Sequence, residues 1–357
     1  MKTVLTVRAG ERARQILCDE GLRPERVRVV AGAAGGPKWI VLNALDRFLF
    51  GGWLDNACHP LFLLGSSIGA WRFAAATTEN PAAAIDRFET AYIGQRYRRP
   101  PTFEEVSAQS RRIQTTFLGP EGPAQVLSHP RIRICILAVR CRGGWIGDGP
   151  LRLAGHLSAA ALANLASRRL LGLFFQRVLF YDPRDQPPFF GMDGFPLRCI
   201  PLTEQNLVPA LLASGAVPLL MAGVRGIAGG NGGIYRDGGL IDYHLDIPFG
   251  IHPDEIVLFP HYRERIVPGW FDKHLAWRRP RPEHMRNVVQ IAPSSDFVAA
   301  LPYGKIPDRQ DFYNFKGRDG ERIAYWRAVV RQSRRLAEAF AELAAAGPLG
   351  DRVQLLC

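Results

Sequence analysis

The sequence predicts an α/β fold built on a parallel sheet, and three observations carry that prediction. Between residues 25 and 76, strand-like and helix-like segments alternate as strand, helix, strand, helix, the pattern that crossover connections between parallel strands produce. The run 61–64 (LFLL) is apolar at every position, as in a strand covered on both faces. No internal repeat and no linker divides the 357 residues, so a single α/β domain with insertions is expected.

The elements follow in order. Residues 25–32 (ERVRVVAG) read as a strand ending in glycine. Residues 37–50 follow as a helix, with Pro37 in the first turn, where its missing N–H costs nothing. Strand 61–64 ends at Gly65, and a helix runs on through Ala76. Pro81 opens a helix over 81–97 in the same way. Residues 102–117 read as a more polar helix between a Pro-rich stretch and a Gly/Pro cluster, and its part 102–112 is a lid candidate by position. Residues 131–140 (RIRICILAVR) alternate in their first half and read as a strand. One or two apolar helices are expected over 156–181, a strand over 196–202, a helix over 204–214 and a late buried strand over 256–259. Residues 263–318 are rich in Pro, Arg and aromatics and look loop-heavy. The segment 321–346 reads as a long helix, with Trp326, Val330, Leu336, Phe340 and Leu343 near helical spacing. The core motifs fall within 26–245, and 246–357 is expected as an extension packed on the domain and ending in that helix.

Hydrophobic residues make up 47% and charged residues 22%, the balance of a globular protein with a sizeable core. The formal net charge is +12, yet only Lys2, Lys38, Lys273, Lys305 and Lys316 are lysines. An arginine excess attracts nucleic acid, anionic lipid or acidic substrates, or is a compositional bias with no charged partner. No RNP, helix-turn-helix or zinc-finger signature is present, so no nucleic-acid partner is expected. Cys18, Cys58, Cys135, Cys141, Cys199 and Cys357 form no C-x-x-C pair and read as free thiols of a reducing compartment, which points to the cytoplasm. The N-terminal residues lack the apolar region of a signal peptide. Residues 207–224 are uncharged, but Pro209, Ser214, Gly215 and Pro218 suit a helix and a buried loop better than a membrane span. No metal or cofactor is implied: Asp242, His244 and Asp246 match no metal-loop spacing.

Three short motifs could carry chemistry. Gly65-Ser66-Ser67-Ile68-Gly69 is a G-x-S-x-G directly after a strand and before a helix, where a serine sits exposed on a sharp turn. It also reads as a glycine turn whose serine caps a helix. Gly32-Ala33-Ala34-Gly35-Gly36-Pro37-Lys38 again joins a strand to a helix, so its N–H groups could face a developing oxyanion. It fits neither the phosphate-binding P-loop, since Trp39 follows Lys38, nor the dinucleotide fingerprint. A plain connector remains the other reading. Asp237-Gly238-Gly239 could hold a carboxylate where backbones crowd, or be an ordinary turn.

A Gly-rich turn, then G-x-S-x-G, then a distant D-G-G together resemble the patatin-like phospholipases. Ala213-Ser214-Gly215-Ala216-Val217-Pro218 is similar to that family's A-S-x-A-x-P segment. The matches span 32–239, and the last third aligns to nothing by eye. The resemblance implies a three-layer α/β/α patatin-like fold with a mainly parallel central sheet and helical insertions. It implies a lipid acyl hydrolase, phospholipase A or lysophospholipase-like, with Ser67 as nucleophile and Asp237 as its base, without histidine. Gly35, Gly36 and Lys38 then form the oxyanion hole, and Gly65, Gly69, Gly238 and Gly239 are motif glycines. Two positions depart from the family: Ala34 replaces a glycine of its G-G-G, and Trp39 replaces the glycine after the basic residue.

Two rivals stand beside this reading. An α/β-hydrolase triad would need a histidine downstream of Ser67, and His244, seven residues after Asp237, is the foremost candidate. A degenerate member of the family would bind lipid without cleaving it. Residues 267–282 (VPGWFDKHLAWRRPRP) mix Trp270, Phe271 and Trp277 with Lys273 and arginines. That composition suits peripheral contact with an anionic bilayer, or a long loop packed on the body.

Overall fold

The computed structural model describes residues 3–97, 101–143 and 149–356. Its elements run β1 (Leu5–Ala9), α1 (Glu11–Glu20), β2 (Val27–Gly32), α2 (Asn43–Phe50), β3 (Leu61–Ser66), α3 (Ile68–Ala76), α4 (Pro81–Ile93) and α5 (Phe103–Leu118). There follow α6 (Gly122–Ser128), β4 (Ile132–Cys141), α7 (Pro150–Ala166), β5 (Phe175–Tyr181), β6 (Leu197–Pro201), α8 (Glu204–Ser214) and β7 (Tyr235–Asp237). The chain finishes with β8 (Ile256–Pro260), α9 (Pro282–Met285), β9 (Val288–Pro293), α10 (Ser295–Ala299), α11 (Asp311–Asn314), α12 (Asp319–Ala345) and β10 (Val353–Leu355).

One sheet of ten strands runs in the order β10-β1-β9-β8-β2-β3-β4-β5-β6, with β7 paired to β4. It is mainly parallel: only the β1–β9, β4–β5 and β4–β7 pairs are antiparallel. Helices cover it in a three-layer α/β/α arrangement. The central strands β2, β3, β4 and β8 are almost wholly buried, so both faces of each carry Val, Ile, Leu or Phe. This is why they read as apolar runs rather than alternating ones.

Several expectations shift in detail. The helix expected over 37–50 begins as a tight 3-10 turn at Gly36–Leu42 before α2. Residues 156–181 hold the rest of α7, a 3-10 turn at Arg168–Leu173 and then the strand β5 rather than a second α-helix; an unbroken apolar run does not distinguish a buried strand from a buried helix. The loop-heavy region conceals β9, and the segment 246–357 supplies β8, β9 and β10 to the central sheet itself. Helix α12 is followed by β10, which pairs with β1. The lid candidate 102–112 lies mostly within α5, which packs on α4 and α8. Among the described residues, no helix is long and apolar enough to cross a membrane. Residues 207–224 form the end of α8 and the turns after it. The described cysteines are all free, and Cys357 lies outside the described residues.

Candidate active site

Ser67 occupies the turn at which β3 becomes α3. Its backbone is left-handed in φ (φ 55, ψ −125), a conformation that costs a side-chain-bearing residue about 1–3 kcal/mol and persists only where its surroundings enforce it. Here they do. The Ser67 N–H donates to Ser214 Oγ at 2.8 Å, and Ser214 Oγ donates to the Leu137 carbonyl at 2.6 Å. The last residue of α8 thus fastens the turn to β4. The two motif glycines let the backbones meet. A Cβ on Gly65 would stand 2.4 Å from the Ala70 nitrogen, and one on Gly69 would stand 2.2 Å from the Gly32 carbonyl oxygen.

Sheet register brings Asp237 to this serine. Strand β3 pairs with β4 as far as Ser66↔Leu137, and β7 pairs with the next residues of β4, beginning at Ala138↔Asp237. Strand β5 lines the other edge of β4 through both stretches. Strand β7 therefore takes the edge that β3 leaves when it turns at Ser67, and the end of β7 abuts the end of β3. Gly238 makes that fit possible, because a Cβ there would lie 2.3 Å from the Leu137 carbonyl oxygen and 2.8 Å from Ser66 Oγ.

The outcome is a direct hydrogen bond: Ser67 Oγ donates to Asp237 Oδ2 at 2.8 Å. The other oxygen, Oδ1, accepts from the Gly239 N–H at 2.7 Å. Burial pushes the Asp237 carboxyl above its ordinary range, while the bonds from Ser67 and Gly239 and the charges of Arg309 and Lys273 pull it back. The carboxylate is thereby a stronger base than an exposed aspartate, and it is held against the hydroxyl it would deprotonate.

The Gly-rich turn after β2 faces the same place. Gly35 and Gly36 precede the first hydrogen bond of the 3-10 turn Gly36–Leu42, so their N–H groups have no acceptor within it. Gly36 has φ +57, open to glycine at no cost. Pro37 next to it offers no N–H. Both departures from the family pattern are accommodated. Ala34 packs against Gly239, where a second Cβ would approach to 2.9 Å. Trp39 is buried and stacks on Phe88 at 4.3 Å. Lys38 turns its ammonium over the Tyr262 ring at 5.1 Å, and burial lowers its pKa to about 8.

His244, the triad candidate, does another job. Its Nδ1 accepts from the Val267 N–H at 2.8 Å, so the neutral ring carries its proton on Nε2 and donates it to Tyr262 Oη at 2.6 Å. Tyr262 in turn donates to the Ala34 carbonyl at 2.8 Å. Full burial, then the nearby His261 and the cations around it, hold the His244 pKa well below the ordinary value. The ring is therefore neutral and occupied, and Ser67 bonds Asp237 instead. In a trans peptide the carbonyl and the following N–H point to opposite sides. Tyr262, by fixing the Ala34 carbonyl on its own side, turns the Gly35 N–H to the other.

Two cavities meet at Ser67, sharing Gly36, Val217 and Arg309 as wall. The larger, about 490 Å³, is lined mainly by apolar side chains, among them Ile68, Trp71, Val106, Leu220 and Met221. The other, about 470 Å³, lies on the Asp237 side and is walled by Lys38, Tyr243, Trp270, Lys273 and His274. Each is within the ~300–1,000 Å³ typical of small-molecule sites.

Sequence reasoning gave Ser214 no role, although it lies in the quoted A-S-G-A-V-P segment, and it missed Tyr262 and Arg309 altogether. Neither of these two belongs to a motif, and only the fold brings them to the site. The acid-rich stretch after D-G-G is divided among separate partners: Asp242 pairs with Arg177 at 2.7 Å, and Asp246 bonds His284 at 2.9 Å. Among the described residues no His/Cys/Asp/Glu group could hold a metal ion. Of the aromatics in the stretch 267–282, Trp277 is exposed, while Phe271 stacks on Phe175 and Trp270 lies beside Lys273.

No family profile and no curated protein matches the sequence. Among solved structures, VipD from Legionella pneumophila overlays 73% of this chain and 54% of its own, at 11% identity and a TM-score of 0.33. The chain spans about half the length of that protein, and at such a score the overlay carries no argument. The reading of the site rests on its own residues and geometry.

Proposed function

We propose that this protein is a lipid acyl-ester hydrolase of the patatin-like type, working through a Ser67–Asp237 dyad. The observation that carries the reading is the 2.8 Å bond from a strained, glycine-flanked serine to a buried aspartate at the mouth of an apolar cavity. Asp237 accepts the Ser67 proton as Oγ attacks the acyl carbonyl carbon. The carbonyl oxygen becomes an oxyanion facing the Gly35 and Gly36 N–H groups, each worth about 3–4 kcal/mol to the transition state. Collapse breaks the ester C–O bond, and Asp237 returns the proton to the leaving alcohol oxygen. Water then gives a proton to Asp237, attacks the acyl-serine and releases the fatty acid, and Ser67 regains its proton. The acyl chain lies in the apolar cavity, which supports a lipid substrate over a small polar ester.

Ser67→Ala and Asp237→Ala test this on p-nitrophenyl esters of short to long chain, with no calcium present. Both variants should stay folded and lose at least about a thousandfold in kcat. A Ser67→Ala protein as active as wild type would sink the hydrolase reading. Inert wild type that still binds amphiphiles would make the protein a lipid-binding relic.

A further inference from the structure

Helix α7 is uncharged on the side it buries and nearly so on the side it shows. Its inner face, Leu153, His156, Leu157, Ala160 and Asn164, is buried against the body. Its outer face, Leu151, Gly155, Ser158, Leu162 and Leu165, recurs at helical spacing, is exposed and carries no charge. Arg152 is the one charged residue of the helix. A helix lying on a globular body ordinarily turns a charged face to water. Leu162 is 69% and Leu165 55% exposed, and the 3-10 turn Arg168–Leu173 that follows adds Leu173 at 67%. Trp277, 70% exposed, comes from the loop after β8. Its neighbour Arg278 donates to the Asn164 carbonyl at the end of α7 at 2.9 Å, and the Asn164 side chain donates to Asp272 at 2.8 Å, so loop and helix are one surface. With Leu151 and Leu170, six of the ten large hydrophobic residues exposed among the described residues lie here. That concentration is a patch rather than the single exposed residues normal on a surface.

Charge indicates what covers this patch. Residues 149–181 contain no Asp or Glu. Arg152, Arg169 and Arg279 stand exposed beside the leucines and Trp277, and none of the three is held in an ion pair among the described residues. Asp272, the acid that ties α7 to the loop, is buried and already shared by Arg168 at 3.4 Å and Arg278 at 3.5 Å. A second copy laid on this face would set arginines against arginines. An anionic bilayer matches both features: its interfacial region takes the leucines and the tryptophan, and its head groups take the arginines. We propose that α7, the turn after it and Trp277 form a docking face for an anionic membrane surface. The same loop carries Trp270, Lys273 and His274, which wall the cavity on the Asp237 side, so docking would bring that cavity toward the lipid. The docking face does not depend on the hydrolase reading.

Flotation of the Ser67→Ala protein with vesicles reads docking without turnover, so a wild type inert on esters would overturn the hydrolase reading and leave this measurement standing. Vesicles of equimolar phosphatidylcholine and phosphatidylglycerol should carry the protein up the gradient, and vesicles of phosphatidylcholine alone should bind it at least fivefold more weakly, as an order of magnitude. Leu162→Gln with Leu165→Gln should weaken binding to the anionic vesicles by about thirtyfold, and Trp277→Ala by about tenfold. Arg169→Gln with Arg279→Gln should weaken it by about tenfold. All five positions are exposed, so thermal melts should match the parent. Leu355→Gln, equally exposed but on β10 at the far edge of the sheet from β5 and β6, should leave flotation unchanged. No flotation with either vesicle, or flotation indifferent to the leucine and tryptophan changes, would overturn the proposal. Equal flotation with both vesicles would overturn the assignment to an anionic surface. Concentration-dependent dimers that the leucine changes abolish, without flotation, would give the face to a second copy instead. Should a variant melt early, the parent still decides: its binding to anionic vesicles should fall as salt rises, and indifference to salt counts against the proposal.

Discussion

Replacing Tyr262 by Phe removes one hydroxyl and keeps the ring that lies against Gly35. Two groups lose their partner, the Ala34 carbonyl and the His244 Nε2–H, both buried. At about 1–3 kcal/mol for each orphaned group, the folded state should lose about 2–6 kcal/mol, seen as a drop of several degrees in Tm. The catalytic consequence is separate. Without the anchor on its carbonyl, the Ala34–Gly35 peptide is free to rotate, and the Gly35 N–H no longer keeps its direction. The ceiling on that loss is one oxyanion donor, about a hundred- to a thousandfold in kcat. Partial loss of orientation should give about ten- to a hundredfold, with KM little changed, because the donor acts on the transition state rather than on the bound ester. Steady-state kinetics on a p-nitrophenyl ester measure the split, and the rate of phosphonylation by a fluorophosphonate should fall in parallel. A variant with lowered Tm and unaltered kcat would show that Tyr262 only packs, and the orientation argument would be refuted.

Two further substitutions follow from the same geometry. Ser214→Ala leaves the buried Ser67 N–H without an acceptor; stability should fall by about 1–3 kcal/mol and kcat should fall with it, as thermal melts and ester kinetics would register. Asp237→Asn should abolish turnover yet raise Tm at neutral pH. The folded-state pKa of this carboxyl is raised by burial, so its contribution to stability is greatest when it is protonated and is lost as pH rises through that pKa; a neutral amide removes the burden. Turnover by wild type runs the other way and falls as pH drops through the raised value, because the base must be ionised. An Asp237→Asn protein less stable than wild type at pH 7 would contradict the assigned direction.

The candidate site was legible because it is written in short motifs. G-x-S-x-G and D-G-G exist where backbones touch, and only glycine survives at Gly69 against the Gly32 carbonyl or at Gly238 against that of Leu137. Such constraints are local and appear as residue identities. The central strands were legible for a similar reason, since burial on both faces leaves no choice but apolar side chains. The periphery was not. Strand β1 has five residues with an arginine among them, and β9 is six residues inside a Pro- and Arg-rich stretch; both are strands because neighbours pair with them, which no local pattern records. The 3-10 turn at Gly36–Leu42 was likewise hidden. His244 misleads by its position: seven residues from Asp237 it looks like the third member of a triad, whereas it holds the neighbouring loop through Tyr262. Arg309 carries no signal at all until the fold brings it to the site.

The end-to-end meeting of β3 and β7 along β4 has a consequence for how the protein comes into being. Ser67 and Asp237 are 170 residues apart in the chain, and Tyr262, which holds the loop opposite them, comes later still, just after β8 has entered the sheet beside β2. On a ribosome, the first two hundred residues contain Ser67 but not the aspartate that accepts its hydrogen bond. On the proposed function, the nascent chain would be harmless to the lipids around it until the sheet closes.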